Sequence, residues 1–257
     1  MRMVAIELPA RHGDSVGQLR ALDRALASLP AGEPTLAVLP ELSLTGYVSA
    51  RGNFDVSRFA EPIGGALLRD VAAIAVARQV ALLASWVERD GARCFNSAAL
   101  IDEAGELVLH YRKRHPWFPE TWASAGDLGM PVATLHGRRV AVAVCFDLHF
   151  VSAEAADVLD SVDVLLFPSA WVDDDEHDLR DELLPALASR HGCAVVNANW
   201  GRGAPAVRGQ GGSRIVDGSG VTIARSRVGS GVQRVMAVLP VRSPLPGVPC
   251  EVKRPGP

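Results

Sequence analysis

The chain has 257 residues, 48% of them hydrophobic, a length at which one core still grows, so a single large domain is expected. Its 26 Lys and Arg against 29 Asp and Glu leave a formal net charge of −3, which gives no electrostatic pull toward nucleic acid or an anionic membrane and favours a small-molecule partner. Cys94, Cys145, Cys193 and Cys250 are widely spaced with no CxxC pair, so neither a disulfide framework nor a structural zinc site is expected.

Residues 1–8 lack the pattern of a secretory leader, and the apolar stretch 71–87 is broken by Arg78 and Gln79; a soluble cytoplasmic protein is expected. Taken in chain order, strand-like runs at 3–8, 36–39 and 81–87 alternate with helical patterns at 16–29 and 67–77, an α/β signature. Residues 96–101 and 107–111 read as strands joined by a turn over 102–106, which adds antiparallel pairing. Further strands are expected at 140–144, 164–167 and 194–198, with a helix over 178–191 between the last two. A second hairpin spans 213–216 and 221–224 around Asp217-Gly218-Ser219-Gly220, so the sheets should be mixed. The glycine-rich stretch 201–212 reads as a surface loop. Residues 1–242 form the expected domain, and the proline-rich 243–257 an extended tail.

Three apolar strands end in chemically competent residues. Val140-Ala141-Val142-Ala143-Val144 runs into Cys145, where a nucleophile projects into a cleft and the N–H of Phe146 faces an oxyanion. Leu36-Ala37-Val38-Leu39-Pro40 runs into Glu41, beside Tyr47, where partial desolvation would raise a carboxyl pKa and suit it to taking a thiol proton. Taken alone, such a carboxylate is more often a cap or a solvated loop residue. The strand through His110 and Tyr111 ends at Lys113, among Trp117, Phe118 and Trp122, where an ammonium could pair with acids and meet a developing oxyanion. By itself that segment reads equally as an exposed basic turn. Cys94 and Cys193 read as inert core residues. The acidic run 173–178 reads as a solvated loop leading into a helix, and the histidines lack zinc-ligand spacing, so no metal is expected.

Together these strand ends resemble the nitrilase superfamily of carbon–nitrogen hydrolases. The likeness rests on Pro40-Glu41-Leu42-Ser43-Leu44-Thr45-Gly46-Tyr47, Tyr111-Arg112-Lys113 and Cys145-Phe146-Asp147-Leu148, and extends to residues 163–171 and to 212–217 with Gly220. It implies an α/β fold, a four-layer αββα sandwich with mixed β-sheets, and a Glu-Lys-Cys triad of Glu41, Lys113 and Cys145. Glu120, in Pro116-Trp117-Phe118-Pro119-Glu120-Thr121-Trp122, matches the family's second glutamate, and this stretch is most similar to the amidase branches. The resemblance further implies hydrolysis of a small amide through a cysteine acyl-enzyme, with no cofactor. Tyr47, Trp117, Phe146, His149 and Trp171 are the expected substrate-binding residues, and a homodimer or larger even assembly the expected state. Nitrile or N-carbamoyl hydrolysis, and acyl transfer from the same intermediate, are the alternatives. Two positions depart from the family pattern: His149, where many relatives carry arginine, and Arg190-His191, where an acidic residue and asparagine are common. The first bears on substrate class, the second on helix packing.

Overall fold

A computed structural model describes residues 1–173, 177–227 and 229–239. Strand β1 (Arg2–Glu7) is an interior strand of a six-stranded sheet, with apolar side chains on both faces. Met3 and Ala5 point into the core shared with the second sheet, while Val4 and Ile6 point outward onto helices. The same alternation recurs in β3 (Thr35–Val38) and β4 (Ala81–Asp90): Leu36, Val38, Ala81 and Leu83 face inward, and Ala37, Leu82, Ala84 and Trp86 outward. A slip of one residue would exchange the two faces, so the pattern fixes register. β4 forms a hairpin with β5 (Arg93–Ile101), which pairs with β6 (Leu107–Arg112), giving the predicted antiparallel half.

The outer face of this sheet is covered by α1 (Ser15–Ala27) and α2 (Ala66–Arg78). α1 buries Gln18, Ala21, Leu22, Ala25 and Leu26, a stripe at helical spacing, and Asp14 caps its first turn by accepting from the Gly17 N–H at 3.0 Å.

The second six-stranded sheet has β7 (Val132–Leu135), β8 (Arg138–Val142), β9 (Val164–Ser169), β10 (Ala194–Asn199), β12 (Arg214–Val216) and β13 (Thr222–Arg225) in the spatial order β13-β12-β10-β9-β8-β7. β8, β9 and β10 are parallel and read as continuous apolar runs, because α3 (Val151–Glu154), α4 (Ala156–Ser161) and α5 (Arg180–His191) lie on the side away from the first sheet. The result is the expected αββα sandwich.

Three elements depart from the sequence reading. Residues 201–212 are not simply a loop: β11 (Gly201–Ala204) pairs in parallel with β2 (Pro9–Arg11). Glycine is required there, since a β-carbon at Gly203 would run into the Ala10 backbone. β7 and β14 (Gln233–Val238) were also not anticipated; β14 pairs antiparallel with β1 and completes the first sheet. The tail 243–257, with Cys250, lies outside the described residues, as do residues 174–176 of the acidic run. Asp178, from that run, is not solvated as expected: it is held by the Arg180 guanidinium at 2.8 Å and by Arg214. Among the described residues, no helix is long and apolar enough to cross a membrane.

Candidate active site

β3, β4 and β6 run in one direction, so Glu41 and Lys113, which follow β3 and β6, emerge at the same edge of the first sheet. Cys145 follows β8 at the corresponding edge of the second. The Ala170 N–H, just after β9, donates to Glu41 Oε2 at 2.9 Å and ties the two edges together. The three strand ends therefore meet, and Glu120 joins them from the turn after β6.

Lys113 is fully buried between two acids. Its Nζ donates to Glu41 Oε1 at 2.7 Å and to Glu120 Oε2 at 2.8 Å. Asn96 Nδ2 also donates to both carboxylates, at 2.7 Å to Glu41 Oε1, the oxygen that Lys113 meets, and at 2.7 Å to Glu120 Oε1. The Trp117 N–H adds a bond to Glu120 Oε2 at 2.6 Å. Ions buried this deeply persist only when paired and hydrogen-bonded, and both carboxylates here are.

The electrostatics follow from this packing. Burial pushes the Glu41 carboxyl up, with Lys113 opposing and the Glu120 charge adding to the rise. Burial alone would push Lys113 down, but the Glu120 and Glu41 carboxylates outweigh it and hold the ammonium well above the usual lysine range. The Cys145 thiol is pushed well up by burial and by Glu41, against the pull of Lys113, and it hydrogen-bonds Glu41. The resting group is a thiol beside a base of raised affinity for protons.

The backbone at Cys145 is left-handed, with φ of 47°, at the start of a short 3-10 turn, Cys145–His149. Asp147 fixes that turn: its Oδ2 accepts from the Val144 N–H at 3.0 Å and from the Tyr111 hydroxyl at 2.7 Å, and its Oδ1 from the His115 N–H at 2.9 Å. Leu42, immediately after Glu41, is likewise left-handed at 47°, and its N–H donates to Ser85 Oγ at 3.1 Å. Strain of this kind is retained where the surroundings over-determine the geometry.

A cavity of about 170 Å³ opens over Cys145, walled by Trp117, Phe146, His149 and Trp171. Four of the five expected substrate-binding residues thus line one space with the cysteine. The fifth, Tyr47, lies behind Trp117, with ring centroids 6.5 Å apart, and is buried against Phe54 and Trp200. Gly46 gives Tyr47 this position, since its φ is 87° and a β-carbon there would meet the Arg11 carbonyl. Phe118 points away, 79% exposed. Burial lowers the His149 pKa, so its ring is neutral near pH 7. His191 is remote from the cavity lining and serves packing, bonded to Asp160 at 2.7 Å.

Sequence reasoning overlooked Asn96, Asp147 and the Ala170 N–H. Asn96 carried a usable signal, a polar residue inside an otherwise buried strand that must find partners. Asp147 stands inside the quoted cysteine motif, yet nothing in spacing shows that it reaches back to Val144. The Ala170 N–H is a backbone group, invisible to residue type.

The carbon-nitrogen hydrolase family profile matches residues 16–233. A protein from Pseudomonas protegens, described as "Hydrolase in pqqF 5'region", is 30% identical over 230 residues, covering 87% of this chain and 79% of that one. An (R)-stereoselective amidase from a Pseudomonas species is 31% identical over 61% of this chain, which spans 55% of that relative's length. Among solved structures, a variant of the amidase from Nesterenkonia AN1, of the nitrilase superfamily, superposes with a TM-score of 0.79 at 26% identity, covering 93% of this chain and 92% of that one. Another variant of that amidase, at 27% identity with a TM-score of 0.79 and coverage of 93% and 90%, shows covalent addition of the acetamide moiety of fluoroacetamide at the active-site cysteine.

Proposed function

Since the chain belongs to the carbon-nitrogen hydrolase family, we propose that it hydrolyses small carboxamides through a thioester on Cys145. The observation that carries this reading is the Lys113 ammonium held at 2.7 Å and 2.8 Å between Glu41 and Glu120, next to the cysteine.

In this reading Cys145 Sγ attacks the amide carbon while Glu41 takes the thiol proton. The new S–C bond moves the carbonyl electron pair onto oxygen, where the Lys113 ammonium and the Phe146 N–H stabilise it. Collapse of the tetrahedral species breaks the C–N bond, and the departing nitrogen takes the proton from Glu41. Water then attacks the thioester, Glu41 accepts its proton, and release of the carboxylic acid restores the thiol. Glu120 holds Lys113 throughout and confines it to the oxyanion side. A thiol that starts protonated beside its base needs no separate ionisation step.

The test is ammonia release from acetamide, propionamide and benzamide, compared with matched nitriles and N-carbamoyl amino acids, and with mass spectrometry of the intact protein. Ammonia from the amides, with an acyl adduct on Cys145 that is absent from Cys145→Ala, is expected. Turnover of nitriles or carbamoyl compounds alone would reject the amide reading. Acyl hydroxamate as the main product when hydroxylamine is offered, with no free acid in its absence, would replace hydrolysis by acyl transfer.

A further inference from the structure

The cavity over Cys145 is aromatic on its sides but not at its end. His149 stacks with Trp171 at 6.0 Å and meets Phe146 edge-on at 5.2 Å, forming an uncharged wall. Beyond Trp171 the lining ends in Asp173, whose Oδ1 accepts the Trp171 indole N–H at 2.5 Å. Among the described lining residues there is no lysine or arginine, and the imidazoles are those of His149 and His177. Arg180 lies close, with its guanidinium 5.8 Å from the Trp171 ring, but it is committed to Asp178 at 2.8 Å and to the Gly209 and Gly211 carbonyls at 3.2 Å. Asp178, Arg180 and Arg208 all bear on Asp173 electrostatically, the two guanidiniums from neighbouring cavities. On the catalytic side, Glu41 and Glu120 share the single Lys113 ammonium.

We propose that this pocket takes neutral or cationic acyl groups of about the bulk of a benzene ring and rejects acyl groups that end in a carboxylate, with Asp173 setting the charge preference. The size follows from the cavity of about 170 Å³, since a buried apolar cavity of about 150 Å³ accommodates benzene. The charge preference follows from desolvation: a carboxylate pushed between aromatic rings toward Asp173 loses water and meets that carboxylate with no lysine or arginine in the lining, whereas an ammonium gains a partner. This inference rests on the amide-hydrolase reading and adds the class of acyl group.

Three five-carbon amides test it at pH 8: pentanamide, 5-aminopentanamide and glutaric acid monoamide, each with wild type and Asp173→Asn, which keeps an acceptor for the Trp171 indole. The expected kcat/KM for the monoamide of glutaric acid is at least about tenfold below that of pentanamide, with 5-aminopentanamide at or above it. In Asp173→Asn both gaps should narrow several-fold. Equal or faster turnover of the anionic amide, or ratios that Asp173→Asn leaves untouched, would overturn the proposal. Should none of the three release ammonia, amide hydrolysis itself fails, and calorimetric binding of the same compounds to Cys145→Ala still reads the pocket. The same ordering of affinities would support the charge preference, and no ordering, or no binding, would reject it.

Discussion

The Tyr111 hydroxyl donates to Asp147 at 2.7 Å, and this one bond joins the strand that delivers Lys113 to the turn that delivers Cys145. Tyr111 belongs to β6 of the first sheet and Asp147 to the turn after β8 of the second, so their bond, with that from the His115 N–H to Asp147, helps to set the spacing between Cys145 and Lys113. Tyr111→Phe keeps the ring and removes only the donor. It should cost about 1–3 kcal/mol, as expected for a buried carboxylate losing one of its bonds, and lower kcat more than it alters KM. Urea denaturation together with steady-state kinetics measures both; lost stability with unchanged kcat would show that the bond is structural alone.

Asn96 gives a second prediction. Among the described residues it is the one side chain besides Lys113 that donates to both Glu41 and Glu120, at 2.7 Å each. Asn96→Leu leaves each carboxylate short of a donor, and should reduce kcat by about 10- to 100-fold with a loss of about 1–3 kcal/mol in stability. Asn96→Asp adds a third acid in the same buried space and should be worse on both counts. Activity in Asn96→Asp equal to that of Asn96→Leu would show that charge at this position is unimportant.

In the proposed mechanism the pH dependence follows from the two groups between which the proton passes, Cys145 and Glu41. Glu41 must be ionised to act, and burial raises its affinity for protons, so the acidic limb of kcat/KM should lie above the ordinary carboxylate value of 4.5. Cys145 is also pushed up, so a thiolate should be absent near neutral pH in the free enzyme. Absorbance at 240 nm, as the difference between wild type and Cys145→Ser, reads this directly. A thiolate signal at pH 7 would contradict the assignment of Glu41 as base.

Acid stability should depend on Glu88. Burial pushes this carboxyl up, but hydrogen bonds from His110, Arg112 and Ser97 outweigh it and hold the group at about 2 against a usual 4.5. A depressed folded pKa stabilises above the unfolded value and is lost as pH falls through the folded one. The contribution, about 3 kcal/mol, is therefore complete above pH 4.5 and disappears as the pH drops toward about 2. Guanidinium unfolding from pH 6 to pH 2 should show a shallower decline in Glu88→Gln than in wild type.

The sheets, and the strand ends that bring Glu41, Lys113 and Cys145 together, were readable because each rests on local pattern. Continuous apolar runs at residues 36–39 and 140–144 could be buried only in sheet interiors, and each stopped at a residue with chemistry. The pairing of β11 with β2 was hidden, since Gly201 and Gly203 are chosen for how closely another strand approaches, and that partner lies far away in sequence. β14 was hidden for another reason: Val235-Met236-Ala237-Val238 is a short apolar run without alternation, and at the sheet edge only Val235 of the strand is buried. Asp147 and Asn96 act through bonds that cross between sheet ends, which residue type alone does not reveal.

The left-handed backbone at Cys145 sets chemical competence against conformational ease at a single position. Any residue with a β-carbon is uncomfortable there, whereas glycine is not. Cys145→Gly should thus be inert yet more stable than Cys145→Ala in urea denaturation, by about 1 kcal/mol, the reverse of the order expected in ordinary extended or helical chain. Cys145 is held in place by its neighbours against its own backbone preference, and the protein with glycine there should be the more relaxed molecule.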